Sequence, residues 1–183
     1  KTVNPRIKVY GVQATGAPSM KNSVEHGEVE ELSSVSTIAD GIAVKKPGDL
    51  TYEICSKYVD GIVTVSDDEI SAAILALMEQ PKLVTEGAGA VAVAAAMFHK
   101  VDLQGKKAVC VLSGGNIDVT ILSRVIKRGL LMSGRSCQLM IELMDKPGQL
   151  KNVSRIIADL GGNVTSVHHE RANEGSDVNG CYL

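Results

Sequence analysis

The 183-residue chain sets 19 Lys and Arg against 21 Asp and Glu, a formal net charge of −2, and 44% of its residues are apolar. This is an ordinary balance for one globular domain or one and a half, and it gives no electrostatic pull toward nucleic acid or an anionic membrane. Four Tyr, one Phe and no Trp leave few surfaces on which bases could stack. No apolar run reaches the roughly 18 residues that suggest a membrane span, and no secretory leader pattern is present.

Cys55, Cys110, Cys137 and Cys181 are scattered, with no Cys-x-x-Cys pair and no His cluster after them. That distribution suits a reducing cytosol and argues against zinc. The chain begins at Lys1 in mid-phrase and stops at Gly180-Cys181-Tyr182-Leu183, which reads as the start of a strand. Both ends lead to the expectation of a piece of a longer protein.

In chain order, Ile7 to Val12 is a short β-prone run, followed by a loop rich in Gly, Ala and Pro from Gln13 to Ser19. Ile42 to Val44 is another short apolar stretch. Pro47-Gly48-Asp49 breaks the chain and caps a helix with Leu50, Ile54, Tyr58 and Val59 on one face. Asp60-Gly61 ends that helix, and Ile62 to Val65 is a strand of the buried type. Ser66-Asp67-Asp68-Glu69 is a capping box. Ile70, Ala73, Ile74, Leu77 and Met78 follow at amphipathic spacing, and Gln80-Pro81 stops the helix. Glu86 to Phe98 is dense in Ala and Gly and predicts a helix packed closely on all sides. Ala108 to Leu112 predicts a continuous apolar strand, as in parallel sheets. A glycine turn and a helix with Leu122, Val125 and Ile126 on one face complete an α/β pattern.

The character changes after Leu131-Met132-Ser133-Gly134, a linker, and the second module begins near Cys137. Gln138 to Leu143 predicts a strand, and Asp145-Lys146-Pro147-Gly148 a turn. Leu150, Val153, Ile157 and Leu160 define a helix face that Gly161-Gly162-Asn163 terminates, and Val164 to Arg171 a second strand. Strand, turn, helix and strand within so short a span describe a small α+β unit.

Three motifs can carry chemistry, each with a plain alternative. Ser113-Gly114-Gly115-Asn116 follows an apolar run where ligands sit in open α/β sheets, at the carboxyl ends of strands. Its glycines let backbone approach a ligand, the helix behind offers N–H groups, and the serine offers one hydroxyl. It is equally readable as an ordinary strand-to-helix turn. In Thr85-Glu86-Gly87-Ala88-Gly89-Ala90, Glu86 either favours the positive end of a helix or faces a ligand. In Ile38-Ala39-Asp40-Gly41-Ile42-Ala43-Val44, Gly41 either allows backbone contact with a ring or makes a simple turn. His168 and His169 are adjacent on a predicted strand, so their imidazoles point to opposite faces and cannot chelate one metal together. No metal is expected. No GxSxG, Walker A, HExxH or GxGxxG pattern occurs, and no lysine stands in an evident Schiff-base context.

VLSGGNID, TEGAGA, TIADGIAV and PGDLTYEI, in that combination, resemble the bacterial threonine ammonia-lyase (threonine dehydratase) family of fold type II pyridoxal phosphate enzymes. Serine racemase and serine dehydratase are relatives of that family. The resemblance covers residues 1–131. It implies part of a tryptophan-synthase-β-like domain, with helices around a mainly parallel sheet. Residues 132–136 would be a linker. Residues 137–183 resemble a truncated ACT domain, an α+β, ferredoxin-like module that binds amino acids. Asp145-Lys146-Pro147-Gly148-Gln149-Leu150 matches its first loop, and Gly161-Gly162-Asn163 the turn into its second strand.

The resemblance implies residue roles. Ser113 matches the serine that hydrogen-bonds the pyridine nitrogen, and a neutral hydroxyl there makes a weaker electron sink than an Asp, which suits β-elimination over transamination. Gly114 and Gly115 would let the chain pass close to the ring, with Gly41 and the Glu86 carboxylate nearby. Asp145, Pro147, Gly148, Gln149, Leu150 and Asn163 would hold an effector. The family's Ser-Phe-Lys-x-Arg-Gly motif, whose lysine carries the cofactor, and its phosphate-binding glycine loop are absent from these 183 residues. No catalytic residue is therefore expected in this chain. Gln13, Ala17 and Ser19 align with the divalent-metal loop of serine racemase, but Gln13 and Ser19 supply no carboxylate.

The implied activity is deamination of L-threonine to 2-oxobutanoate and ammonia in a cytoplasmic homo-oligomer, dimer or tetramer, with isoleucine or valine as effector. The TEGAGA and PGDLTYEI runs look closer to the catabolic branch, whereas isoleucine feedback would imply a biosynthetic role. Two alternatives remain: a serine dehydratase or racemase, and a non-catalytic amino-acid-sensing module.

Overall fold

A computed structural model describes residues 1–171 and 180–182 of the chain. They form two compact units, Lys1–Ser136 and Cys137–Leu183.

In the first unit, β1 (Tyr10–Ala14) pairs in parallel with β2 (Gly61–Val65), with Tyr10 opposite Gly61 and Ala14 opposite Val65. A parallel pair requires a crossover. It is made here by α1 (Ser19–His26), a 3-10 turn at Asp40–Ile42 and α2 (Asp49–Tyr58). β1 starts later than the β-prone run Ile7 to Val12 and continues through Ala14, because its ladder reaches only as far as β2 does. Both strands end buried, at Ala14 and Val65, where the Thr15 N–H donates to the Val65 carbonyl at 2.8 Å.

The capping box forms as the sequence predicts. Ser66 Oγ accepts from the Glu69 N–H at 3.2 Å, and Glu69 Oε2 accepts from the Ser66 N–H at 2.8 Å. Two N–H groups at the start of α3 (Asp67–Glu79) are thereby satisfied reciprocally. Ile70, Ala73 and Ile74 of α3 are fully buried. Burial of the two isoleucines stabilises the fold by about 1.5–3 kcal/mol each.

α3 packs against both α4 (Gly87–Met97) and α5 (Val119–Met132). Small residues make both approaches close. Ala90, Ala94 and Ala95 of α4 are buried. A β-carbon on Gly129 of α5 would stand 3.0 Å from Leu75 Cβ. Asp118 caps α5, its Oδ1 accepting from the Thr120 N–H at 2.7 Å. On the rim of the helix pair, the Arg128 guanidinium holds the Asp68 carboxylate through two hydrogen bonds and Arg135 reaches Glu79 at 2.5 Å. Arg128 holds the Asp68 carboxyl below its ordinary value.

Residues 108–112 depart from the expected buried strand. They are irregular, and among the described residues no strand bonds to them. A ladder needs a neighbour, and the apolar sequence alone does not supply one. Val109 and Val111 are 92% and 74% exposed, and Cys110 between them is half-buried, its Sγ 3.5 Å from the Ala92 carbonyl.

In the second unit, β3 (Glu142–Met144), α6 (Gln149–Asp159), β4 (Glu170–Arg171) and β5 (Gly180–Tyr182) follow in sequence. The strands are antiparallel in the order β3-β5-β4, with Leu143 and Arg171 both opposite Cys181. β3 and β4 are shorter than the runs Gln138 to Leu143 and Val164 to Arg171, since each bonds only where β5 lies beside it. Gly148 precedes α6 with a φ of +93°, a left-handed turn that glycine adopts without steric cost.

Candidate functional site

Three chain segments that are distant in sequence meet at the N-terminus of α4, with Glu86 at their centre. Glu86 is the residue preceding the helix, yet its carboxylate accepts no bond from the helix's own first N–H groups. Its place at the positive end of α4 fits the helix-start reading, without a side-chain cap hydrogen bond. The side chain lies instead between two glycines. A β-carbon on Gly114 would fall 2.3 Å from Glu86 Oε1, and one on Gly41 would fall 3.3 Å from the same atom. Gly114 also has a φ of +75°, which disfavours any L side chain. The Glu86 N–H donates to the Gly114 carbonyl at 3.3 Å.

Two more glycines set the depth of this meeting point. A β-carbon on Gly89 would overlap the Ser113 carbonyl at 1.8 Å, and one on Gly87 would meet the Ile38 carbonyl at 2.7 Å. The alternating glycines of Gly87-Ala88-Gly89 therefore let the 38–41 and 113–114 backbones press against the first turn of α4. Thr85, only 4% exposed, secures the second of these, its Oγ1 lying 3.0 Å from the Gly114 carbonyl and 3.4 Å from that of Ser113. Thr37 secures the first: its hydroxyl meets Asp67 Oδ1 at 2.6 Å, and the Ile38 N–H donates to Asp67 Oδ2 at 3.2 Å.

Thus Ser113, Gly114, Gly41 and Glu86 come together. Ser113 is exposed, and its hydroxyl has no hydrogen-bond partner among the described residues. Thr85, Thr37, Asp67 and the Gly87/Gly89 pair were not singled out from sequence, although the Gly-x-Gly spacing at a helix start was a usable signal for the last. Gln13 and Ser19 spend their polar atoms internally. Gln13 Oε1 accepts from the Lys21 N–H at 2.8 Å, and the Ser19 hydroxyl donates to the Val44 carbonyl at 2.6 Å.

The second unit contains a hollow of about 140 Å³ between the β3–α6 turn and the sheet. Asp145, Gly148, Gln149 and Leu150 line it, together with Leu143, Lys146, His169 and Cys181. Pro147 and Asn163, grouped with them from sequence, do not. The proline ring belongs to the turn itself, and Asn163 follows the far end of α6.

Residues 1–114 match the family described as "Pyridoxal-phosphate dependent enzyme". The chain is 52% identical over 172 residues to an L-threonine ammonia-lyase of Thermotoga maritima, a match that takes in 94% of this chain and 43% of that protein. The processed form of threonine deaminase isoform 2 from Solanum lycopersicum superposes with a TM-score of 0.65 at 36% identity, covering 74% of this chain and 37% of that one. Maize serine racemase superposes with a TM-score of 0.62 at 31% identity, covering 70% and 42%. The chain thus spans less than half the length of these relatives.

The α4 N-terminus presents a polar edge: glycines at positions 41 and 114 accommodate the Glu86 carboxylate, and the exposed Ser113 beside them carries a neutral hydroxyl of the kind that can serve a ring nitrogen. None of the three converging segments carries a lysine. The shared sequence and the shared fold agree, and the chain belongs to the pyridoxal-phosphate dependent enzyme family.

Proposed function

We propose that this chain supplies the pyridine-nitrogen wall of a threonine ammonia-lyase, an enzyme that deaminates L-threonine to 2-oxobutanoate and ammonia. The observation that carries the reading is the convergence of Ser113, Gly114 and Gly41 on Glu86. When bound, pyridoxal phosphate withdraws electrons from the substrate's α-carbon. The Ser113 hydroxyl holds the ring nitrogen by a neutral hydrogen bond. Gly114 and Gly41 admit the Glu86 carboxylate, which would support the polar network beside the ring. The lysine and the phosphate loop come from outside these residues. The 52% identity to an L-threonine ammonia-lyase supports threonine as substrate.

In the second unit, the strand order β3-β5-β4 is that of a split β-α-β unit, which supports an ACT module over residues 137–183, with 132–136 as the linker. Asp145, Gly148, Gln149 and Leu150 hold a branched-chain amino-acid effector there, and Pro147 and Asn163 shape the turns on either side. Effector binding shifts substrate affinity by about 1–3 kcal/mol, the usual range of such coupling. The assembly is a cytoplasmic homo-oligomer. No helix among the described residues is long and apolar enough to cross a membrane.

A serine-specific reading is favoured by the likeness to maize serine racemase. Turnover by the protein that carries this chain decides between the two. Ammonia and 2-oxobutanoate from L-threonine, at a kcat/KM above that for L-serine, are expected. Racemised serine without 2-oxobutanoate from threonine would overturn the assignment.

A further inference from the structure

Three different metal-ligating side chains meet at the hollow of the second unit: Asp145 just after β3, His169 just before β4 and Cys181 on β5. The ligand atoms of Asp145, His169 and Cys181 lie within 4.8 Å of one another, and all three residues line the same hollow. Cys181 is 3% exposed, whereas the carboxylate and imidazole stand at the open side.

We infer that Asp145, His169 and Cys181 form a binding site for a divalent cation of the zinc class. One thiolate, one imidazole and one carboxylate are a donor set suited to borderline cations such as Zn2+ and Co2+, and too soft for Mg2+ or Ca2+. Tetrahedral zinc with ligand bonds of about 2.0–2.3 Å keeps its ligand atoms roughly 3.4 Å apart, closer than the 4.8 Å within which the three ligand atoms lie here. The hollow leaves the fourth position to water or to a small ligand. The sequence hides this site because the two adjacent histidines diverge. His169 instead pairs with residues far along the chain on either side. The inference rests on the second unit alone and does not depend on the pyridoxal phosphate site; an effector in the same hollow would share Asp145 with the cation.

Titration of the full chain with Co2+ alone tests it. One equivalent is expected to produce thiolate-to-cobalt absorption in the near ultraviolet and visible bands of tetrahedral intensity, and Zn2+ should displace both. His169→Ala should weaken Co2+ binding at least tenfold, Cys181→Ser should abolish the near-ultraviolet band, and His168→Ala and Cys137→Ser should leave both unchanged. Cys181 is buried, so a Cys181→Ser chain that loses its helical circular dichroism is set aside and His169→Ala, on the exposed side, decides. Absence of a thiolate band at stoichiometric Co2+, or full binding by His169→Ala, would overturn the site.

Discussion

The Glu86 carboxylate occupies the space that a side chain on Gly114 would need, Oε1 lying 2.3 Å from where that β-carbon would stand. Two features the sequence presents separately, an acidic helix start and a glycine turn, are therefore one structure. Neither residue can change without the other responding.

Gly114→Ala meets two penalties. The left-handed backbone costs about 1–2 kcal/mol for an L side chain, and the methyl displaces Glu86. Cofactor affinity of the protein carrying this chain should fall at least tenfold, read from the bound cofactor's visible absorption at graded concentrations. Adding Glu86→Ala should recover part of the loss, since the clash disappears while the backbone strain stays. Additive losses would show that the two residues act independently.

Gly89→Ala strikes backbone, not a flexible side chain, because its β-carbon would overlap the Ser113 carbonyl at 1.8 Å. Overpacking of this kind costs about 1–3 kcal/mol or more. With roughly 2–4 °C per kcal/mol for a chain of this size, the thermal midpoint should drop by several degrees. Gly61→Ala, whose β-carbon would meet only the Tyr10 ring at 3.4 Å, is the control without a backbone clash and should change it less.

Thr85→Val keeps the shape of a buried side chain and removes the hydroxyl that faces the Gly114 and Ser113 carbonyls. A loss of about 1–3 kcal/mol in urea unfolding is expected for carbonyls left without this partner. Thr85→Ser should retain most of the stability. Equal losses in the two variants would mean that packing of the methyl, not the hydrogen bond, matters.

Arg128 holds the Asp68 carboxyl below its ordinary value, so the folded state binds a proton there less readily than the unfolded chain. The resulting stability is present above the ordinary carboxylate value of 3.8 and is lost as pH falls below it through the lowered folded value. Urea midpoints measured from pH 7 down to pH 3 should therefore fall less steeply in Asp68→Asn than in the parent. Asp60 is also held low, by hydrogen bonds from Lys1, the Val9 N–H and Lys8, and should add to the same acid limb. Identical acid limbs in the parent and Asp68→Asn would remove the ion pair from the account.

Local chemistry was readable and long-range pairing was not. The Ser66/Glu69 box, the face of α3 and the small-residue helix α4 are written in neighbouring residues, and each formed as read. Residues 108–112 have the composition of a buried strand but, among the described residues, no strand beside them, and Val109 and Val111 are exposed. Glu86 was ambiguous because a helix start explains an acid equally well. Its nearness to Gly114 and Gly41 appears only once the fold brings the three segments together. Thr85 was overlooked because a threonine before a helix has no signature until the carbonyls it faces are known. The juxtaposition of Asp145, His169 and Cys181 joins residues far apart in the chain around one hollow, which no local pattern encodes.

The central claim, that the turn at Ser113 forms the nitrogen wall of the cofactor site, is tested most directly by Ser113→Ala in the protein that carries this chain. Removing one hydrogen bond to the reacting system should lower kcat for L-threonine by about ten- to a hundredfold, toward the lower end of what such contacts contribute. The bound cofactor's visible spectrum should shift, while the thermal midpoint stays near that of the parent because Ser113 is exposed. An unchanged kcat together with an unchanged cofactor spectrum would contradict the account.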